Sequence, residues 1–369
     1  MDPVAHTFTG MALAAAGLRR ATPLAATALL MGVNAPDVDV VTAFGPQFEQ
    51  LAFRRGWTHG VLALALWPFL LTGVLLAWDR YVRLRRKPDA APARAGPLLA
   101  LTALAVVSHP TLDWLNNYGL RWLMPFDSRW FYGDALFVID PWFWLVVGGA
   151  AFLTFSRSKL ARVRWTVFFA LATVLIFASG EIVPRLSAIL WLAGVGTLVI
   201  ARWWLRGAPP VALERAAQAG IAVAAVYVVV MIGASAAARA EVRAAVTELG
   251  IAPEEVMVAP APADPFSGEV VVVTRDEYYT GAFNWLMEPR LRLDGERIPR
   301  PRGAEYQLAS QTPEARRFLV WSRYPTAEVE QRPNGSARVR FSDVRYEGTG
   351  RLLGPTIELA AGAVERASD

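Results

Sequence analysis

The sequence predicts a mainly α-helical, polytopic membrane bundle followed by a small β-rich domain, and three observations lead there. Of the 369 residues, 54% are hydrophobic and 19% charged, with a mean hydropathy of +0.31. That balance suits a multi-span membrane protein rather than an ordinary soluble domain. The apolar residues are gathered into segments long enough to cross a hydrocarbon core of about 30 Å. After Arg239 the composition changes, and alternating strands with turn residues take over.

Two short apolar helices are expected first, over residues 4–18 and 23–33, joined at Arg19-Arg20. Residues 60–78 form the clearest span, almost wholly apolar. A weaker one covers 98–115 and contains His109 and Asp113. Further spans read over 135–155, 165–179, 186–200 and 220–238, which makes about eight helices, the first two short for a bilayer. Residues 241–250 read as a separate short helix. Residues 269–274 and 337–341 read as strands, the second following the hairpin-turn dipeptide Asn334-Gly335. The Pro-rich stretch 259–265 reads as a linker or loop within the β-rich part. The expected domains are therefore a membrane-embedded one over 1–240 and a soluble β-rich one over 241–369.

The formal charge of +5 does not point to nucleic acid, because the basic residues crowd the short connections between spans. Arg80, Arg83, Arg85, Arg86, Lys87 and Arg94 fill one, Arg157, Lys159, Arg162 and Arg164 another, and Arg202, Arg206 and Arg215 a third. Such loops face the cytoplasm. Alternating the spans then puts the C-terminal domain on the extracytoplasmic side of the cell membrane. The start of the chain, with Asp2 and His6 and no basic lead-in, does not read as a cleavable signal peptide. There is no Cys, so any metal must be held by His, carboxylate or backbone oxygen.

The three histidines, His6, His59 and His109, all lie in short polar clusters within apolar sequence, and Asp37 and Asp39 follow Pro36 between the first two. Histidine and aspartate are costly in such segments unless paired or bound to a cation. His109 and Asp113 stand four apart, which puts both on one helix face, and Pro110 between them predicts a kink or restart. Parity of the spans brings His6, Asp37, Asp39, His59, His109 and Asp113 to one external face. A single His–Asp pair is equally compatible with a buried hydrogen bond, Asp37 and Asp39 with turn chemistry, and His59 with a residue at a helix entrance that Thr58 caps. The combination favours a metal site. Arg54 and Arg55 break the charge rule on that face, which suggests anion binding. Downstream, the Trp- and Tyr-rich stretch 116–142 reads as an interfacial belt. Asp134 and Asp140 within it are not explained that way, and Asp140 reads as a further ligand, an acceptor for a ligand histidine, or a general base.

At His6-Thr7-Phe8-Thr9-Gly10, Asn34-Ala35-Pro36-Asp37-Val38-Asp39, Arg55-Gly56-Trp57-Thr58-His59 and His109-Pro110-Thr111-Leu112-Asp113-Trp114 the sequence resembles the bacterial membrane-bound metal-dependent hydrolases of the YdjM/YbcI type. The resemblance covers roughly residues 1–240 in architecture. The order of His and Asp is also similar to that of zinc-dependent phospholipase C and the P1-type nucleases, which have further His and Glu ligands downstream. This chain has no fourth histidine, so one or two zinc ions are expected rather than three. What the resemblance implies is metal-assisted hydrolysis of a phosphoester or related ester, in a lipid or lipid-linked substrate at the bilayer surface. The metal ligands would come from His6, Asp37, Asp39, His59, His109 and Asp113. Asp37, Asp140 and Arg55 would act in catalysis, and Arg54, Arg121 and Asp134 would contact substrate. Two other classes fit the same residues: a transporter, whose ligands would lie near the bilayer midplane, and a membrane protein that a closed metal site merely braces.

Overall fold

The computed structural model describes residues 1–180, 182–293, 295, 297–349 and 354–363. The chain forms two units, one of residues 1–38, 55–235 and 259–266, the other of 39–54, 236–258 and 267–369.

The first unit opens with α1 (Pro3–Ala15), whose start is set locally: the Asp2 carboxylate accepts from the Val4 and Ala5 N–H groups, and Pro3 occupies the first helical turn. After a left-handed Gly17 come α2 (Ala25–Gly32) and then α3 (Val61–Trp78) and α4 (Ala95–Trp114). α2 lies against α4 so closely that a Cβ on Gly32 would stand 2.6 Å from that of Ala105, so only glycine fits there. Pro110 neither breaks nor restarts α4, which runs through to Trp114. Pro110 leaves the Val106 carbonyl without its helical donor, yet four more helical residues follow it.

Residues 135–155 do not form one span. Asp140 caps a helix that begins only at Pro141, and the helical segment α5 (Pro141–Phe155) passes through a wide π turn at Trp144–Gly148. It is too short to cross a bilayer alone and is largely buried among its neighbours. α6 (Lys159–Ala178), α7 (Arg185–Trp204) and α8 (Pro210–Glu248) follow. Among the described residues five helical stretches are long and apolar enough to span, those beginning at Val61, Ala95, Lys159, Arg185 and Pro210. Large apolar residues such as Leu66, Phe69, Leu171 and Val229 stay exposed on them, as side chains facing lipid do. The inward faces build two cores, one around Phe8, Trp144, Phe152, Trp165 and Trp191, the other around Leu29, Leu75, Leu98 and Leu101.

Residues 241–250 are not a separate helix: α8 continues unbroken to Glu248, because nothing between Ala236 and Glu248 is Gly or Pro and most are good helix formers. A left-handed Gly250 follows it. The strands come next, β1 (Glu255–Ala261), β2 (Asp264–Val273), β3 (Glu277–Asn284), β4 (Leu291–Arg292) and β5 (Arg297–Pro299) in one sheet, and β6 (Pro325–Gln331), β7 (Ala337–Asp343) and β8 (Thr356–Leu359) in another. Two helices stand between the sheets in sequence, α9 (Ala304–Ser310) and α10 (Pro313–Trp321). The expected strands fall on β2 and β7, with Thr274 just past the end of β2, and Asn334-Gly335 does turn the β6–β7 hairpin, with Gly335 at φ +77°. The Pro-rich stretch is a loop only at Pro262-Ala263, the turn with Ala263 at φ +55°; the rest of it forms the adjoining ends of β1 and β2, and β1 tolerates Pro260 because it is an edge strand.

Candidate metal centre

Four side chains converge in the first unit: one ligand atom from each of Asp37, His59, His109 and Asp113 lies within 4.8 Å of all the others. Local structure delivers each. α2 ends at Gly32, and the tight 3-10 run Ala35–Phe44 that follows carries Asp37. His59 sits in the turn before α3, held by hydrogen bonds from its own N–H to Gly56 O (3.0 Å) and from Val61 N–H to Trp122 O (2.8 Å). Gly60 makes that turn possible, since a Cβ there would come within 2.4 Å of the Met124 carbonyl. His109 and Asp113 lie one turn apart near the end of α4.

The geometry fits a cation. His109 Nδ1 is 2.6 Å from the Val33 carbonyl, which can only accept, so Nδ1 carries the proton in the neutral ring and Nε2 presents a lone pair. That Nε2 stands 3.1 Å from His59 Nε2, 3.4 Å from Asp113 Oδ2 and 3.7 Å from Asp37 Oδ1. His59 Nε2 is 3.2 Å from the same Asp113 oxygen. Asp113 Oδ2 is buried with no hydrogen-bond partner. Electron-rich atoms gathered this closely out of water repel one another unless a proton or a cation lies among them. Two imidazoles and two carboxylates form a donor set that suits zinc and other divalent ions.

The surroundings hold the donors in place. Asp113 Oδ1 faces the other way, toward Arg55 Nη2 at 3.0 Å, His6 Nε2 at 3.3 Å and the Met1 amino group. Arg55 is itself fixed by Asn116 Oδ1 (2.9 Å) and Gly119 O (3.3 Å) and lies over the Tyr118 ring. His6 stacks on His109 with ring centroids 3.8 Å apart. Thr58 does not cap α3. Its Oγ1 stands 2.9 Å from His59 Nδ1 instead, because Gly60 occupies the cap position. The two histidines and Asp113 are fully buried, whereas the Asp37 side chain keeps 18% of its surface exposed, so the cluster opens on the Asp37 side.

The other residues read from the sequence fall elsewhere. Asp39 belongs to the second unit, where Arg54 Nε lies 3.5 Å from its carboxylate. Asp140 caps α5 through Phe143 N–H and accepts from Tyr227 Oη at 2.9 Å, outside the four-residue group. Arg121 is buried against the Trp130 ring, and its N–H bonds the Arg55 carbonyl. Asp134 is buried in a left-handed conformation, and its carbonyl accepts from Ser235 Oγ. The Val33 carbonyl had no signal in the sequence, since any residue at that position supplies the same oxygen.

The chain is 26% identical over 155 residues to the protein printed as "Uncharacterized protein YfhP" of Bacillus subtilis (strain 168), a match covering 39% of this chain and 43% of that one. It thus spans less than half the length of the curated relative it matches. No solved structure matches it. The family model described as YdjM inner membrane protein matches residues 1–183, which include all four members of the cluster. Over those residues the chain belongs to the YdjM inner membrane protein family.

Proposed function

We propose that this membrane protein is a metal-dependent hydrolase of a phosphoester or related ester in a lipid or lipid-linked substrate, with Asp37, His59, His109 and Asp113 as ligands of one divalent cation, zinc by preference. The convergence of these four groups within 4.8 Å, closed on three sides and open at Asp37, carries the reading. A cation held there would polarise a phosphoryl or acyl oxygen and acidify a water molecule. The chain's own groups do the rest. The Val33 carbonyl aims His109 Nε2 inward, and Arg55 and His6 occupy Asp113 Oδ1 so that Oδ2 faces the site. Asp37, the least buried of the four, would accept the proton of the attacking water through the carboxylate oxygen that does not hold the cation. In this reading Asp39, Arg54 and Asp140 are not ligands, and the site and the C-terminal domain face the outside of the cell.

The ligand positions favour a hydrolase over a transport path. His59 immediately precedes α3, and His109 and Asp113 lie in the last turns of α4, so the cluster stands at helix ends rather than mid-span. The test is elemental analysis of the purified protein together with a screen of phosphoester and ester lipids in vesicles. About one divalent ion per chain is expected. His109→Ala and Asp113→Ala should lose both metal and activity while still inserting, since insertion rests on the apolar spans. If both variants keep the full metal complement, the ligand assignment fails. If the wild type binds metal but hydrolyses no ester, the hydrolase assignment fails.

A further inference from the structure

A cavity of about 540 Å³ opens in the first unit between α1 and α6, away from the metal ligands. Its walls are apolar: Phe8 and Met11 from α1, Phe155 from the end of α5, and Trp165 and Phe168 from α6. One lining side chain is charged, Arg164. The volume lies within the ~300–1,000 Å³ of ligand-sized pockets. Thr7, at the far end, is half-buried and already bonded to Asn34, so that end offers no charge to a ligand.

The Phe155 end is different. The Arg19 guanidinium lies over the Phe155 ring, 5.5 Å from its centroid, and its Nη1 is buried without a hydrogen-bond partner. Beyond it, Arg202 Nε donates to Ser156 Oγ, and Arg162 Nη1 donates to the Arg157 carbonyl. Among the described residues none of Arg19, Arg157, Arg162, Arg164 and Arg202 has a carboxylate within ion-pairing distance. The nearby Glu214 is engaged by Arg20. Elsewhere in the chain arginines do find acids, as Arg83 finds Asp79 and Arg290 finds Glu241. A run of cations at one mouth of an apolar groove, with no acid to neutralise them, is complementary to a molecule with an anionic head and a hydrocarbon tail.

We propose that this groove binds an anionic phospholipid, with an acyl chain along Phe8, Met11, Trp165 and Phe168 and the phosphate at Arg164 and Arg19. The site is independent of the hydrolase reading: it needs neither the metal nor turnover. A zwitterionic lipid of the same chain length fills the same apolar walls but brings a cation of its own to the arginines. The head group therefore decides the selectivity.

The test uses the full chain, delipidated in detergent and offered phosphatidylglycerol or phosphatidylcholine of identical acyl chains, with bound lipid read by native mass spectrometry. The wild type should retain one phosphatidylglycerol about fivefold or more over phosphatidylcholine, the preference a single well-placed cation supplies. Arg164→Gln, at an exposed position, should bring that preference close to unity. Ala161→Trp, which fills the groove from its wall, should displace both lipids. Arg80→Gln, on another basic connection, should leave the preference intact. Equal retention of the two lipids by the wild type would overturn the proposal. So would an unchanged preference in both groove variants, or its loss in Arg80→Gln, which would mark diffuse surface charge as the cause.

Discussion

The bond between His109 Nδ1 and the Val33 carbonyl decides what the other ring nitrogen can do, and the same logic extends to Arg55. Its guanidinium spans Asp113 Oδ1, Asn116 Oδ1 and the Gly119 carbonyl, a fork that an ammonium cannot reproduce. Arg55→Lys should therefore leave Asp113 less well oriented and weaken metal affinity on the order of 10- to 100-fold, measured by competition with a chromophoric chelator. Retention of wild-type affinity would mean that Asp113 is held by its other neighbours. Asp140→Asn removes an acceptor for Tyr227 and should leave metal content unchanged, because Asp140 stands outside the cluster. A loss of metal in that variant would return Asp140 to the ligand set.

At the scale of elements, close helix approach and one buried ion pair set the sensitivities. Gly32→Ala would drive a methyl group into Ala105 where α2 crosses α4, and α2 leads directly into Asp37. Overpacking of this kind costs about 1–3 kcal/mol. We expect a lower unfolding temperature in detergent together with weaker metal binding, since the same crossing also carries Val33 to His109. In the second unit Asp343 and Arg345 form a buried pair at 2.8 Å, beside bonds to Asp343 from Ser322 Oγ and Tyr324 N–H. Burial pushes the Asp343 carboxyl up, but Arg345 and those hydrogen bonds outweigh it and hold the group below its ordinary value. A carboxyl lowered in the folded state contributes stability above its unfolded pKa, near 4. That contribution is lost as pH falls through the lowered native value. Acid unfolding of the β-rich region, followed by circular dichroism, should thus lose much of its pH dependence in Asp343→Asn. That variant should also be less stable at neutral pH, by on the order of 3–5 kcal/mol if the buried Arg345 is left uncompensated.

For the whole molecule, the basic connections make a prediction about sidedness. In this Cys-free chain, single cysteines at Ser128 and Ser336 should react with an impermeant thiol reagent on intact cells, and one at Ala91 should not. The reverse pattern would move the metal centre to the cytoplasm. The sequence by itself determined the membrane class, the long spans, the Asn334-Gly335 hairpin and the four cluster residues as candidates. Each rests on a local signal: a run of apolar residues, a turn dipeptide, or polar groups too costly to bury alone. It misread what depends on neighbours. The segment 135–155 is apolar enough to span, yet Asp140 and Pro141 start its helix late, and packing against α1 makes it a core element. Nothing between Ala236 and Glu248 breaks a helix, so residues 241–248 continue α8 instead of standing apart. The candidates around the cluster were likewise sorted only in three dimensions. Arg55 and Asp39 look equally polar in sequence, but one grips Asp113 while the other lies in the second unit beside Arg54. The reason is physical: a ligand's direction, its tautomer and its counter-charge come from atoms far away in the chain, such as the Val33 carbonyl 76 residues before His109. Composition and spacing carry no record of them.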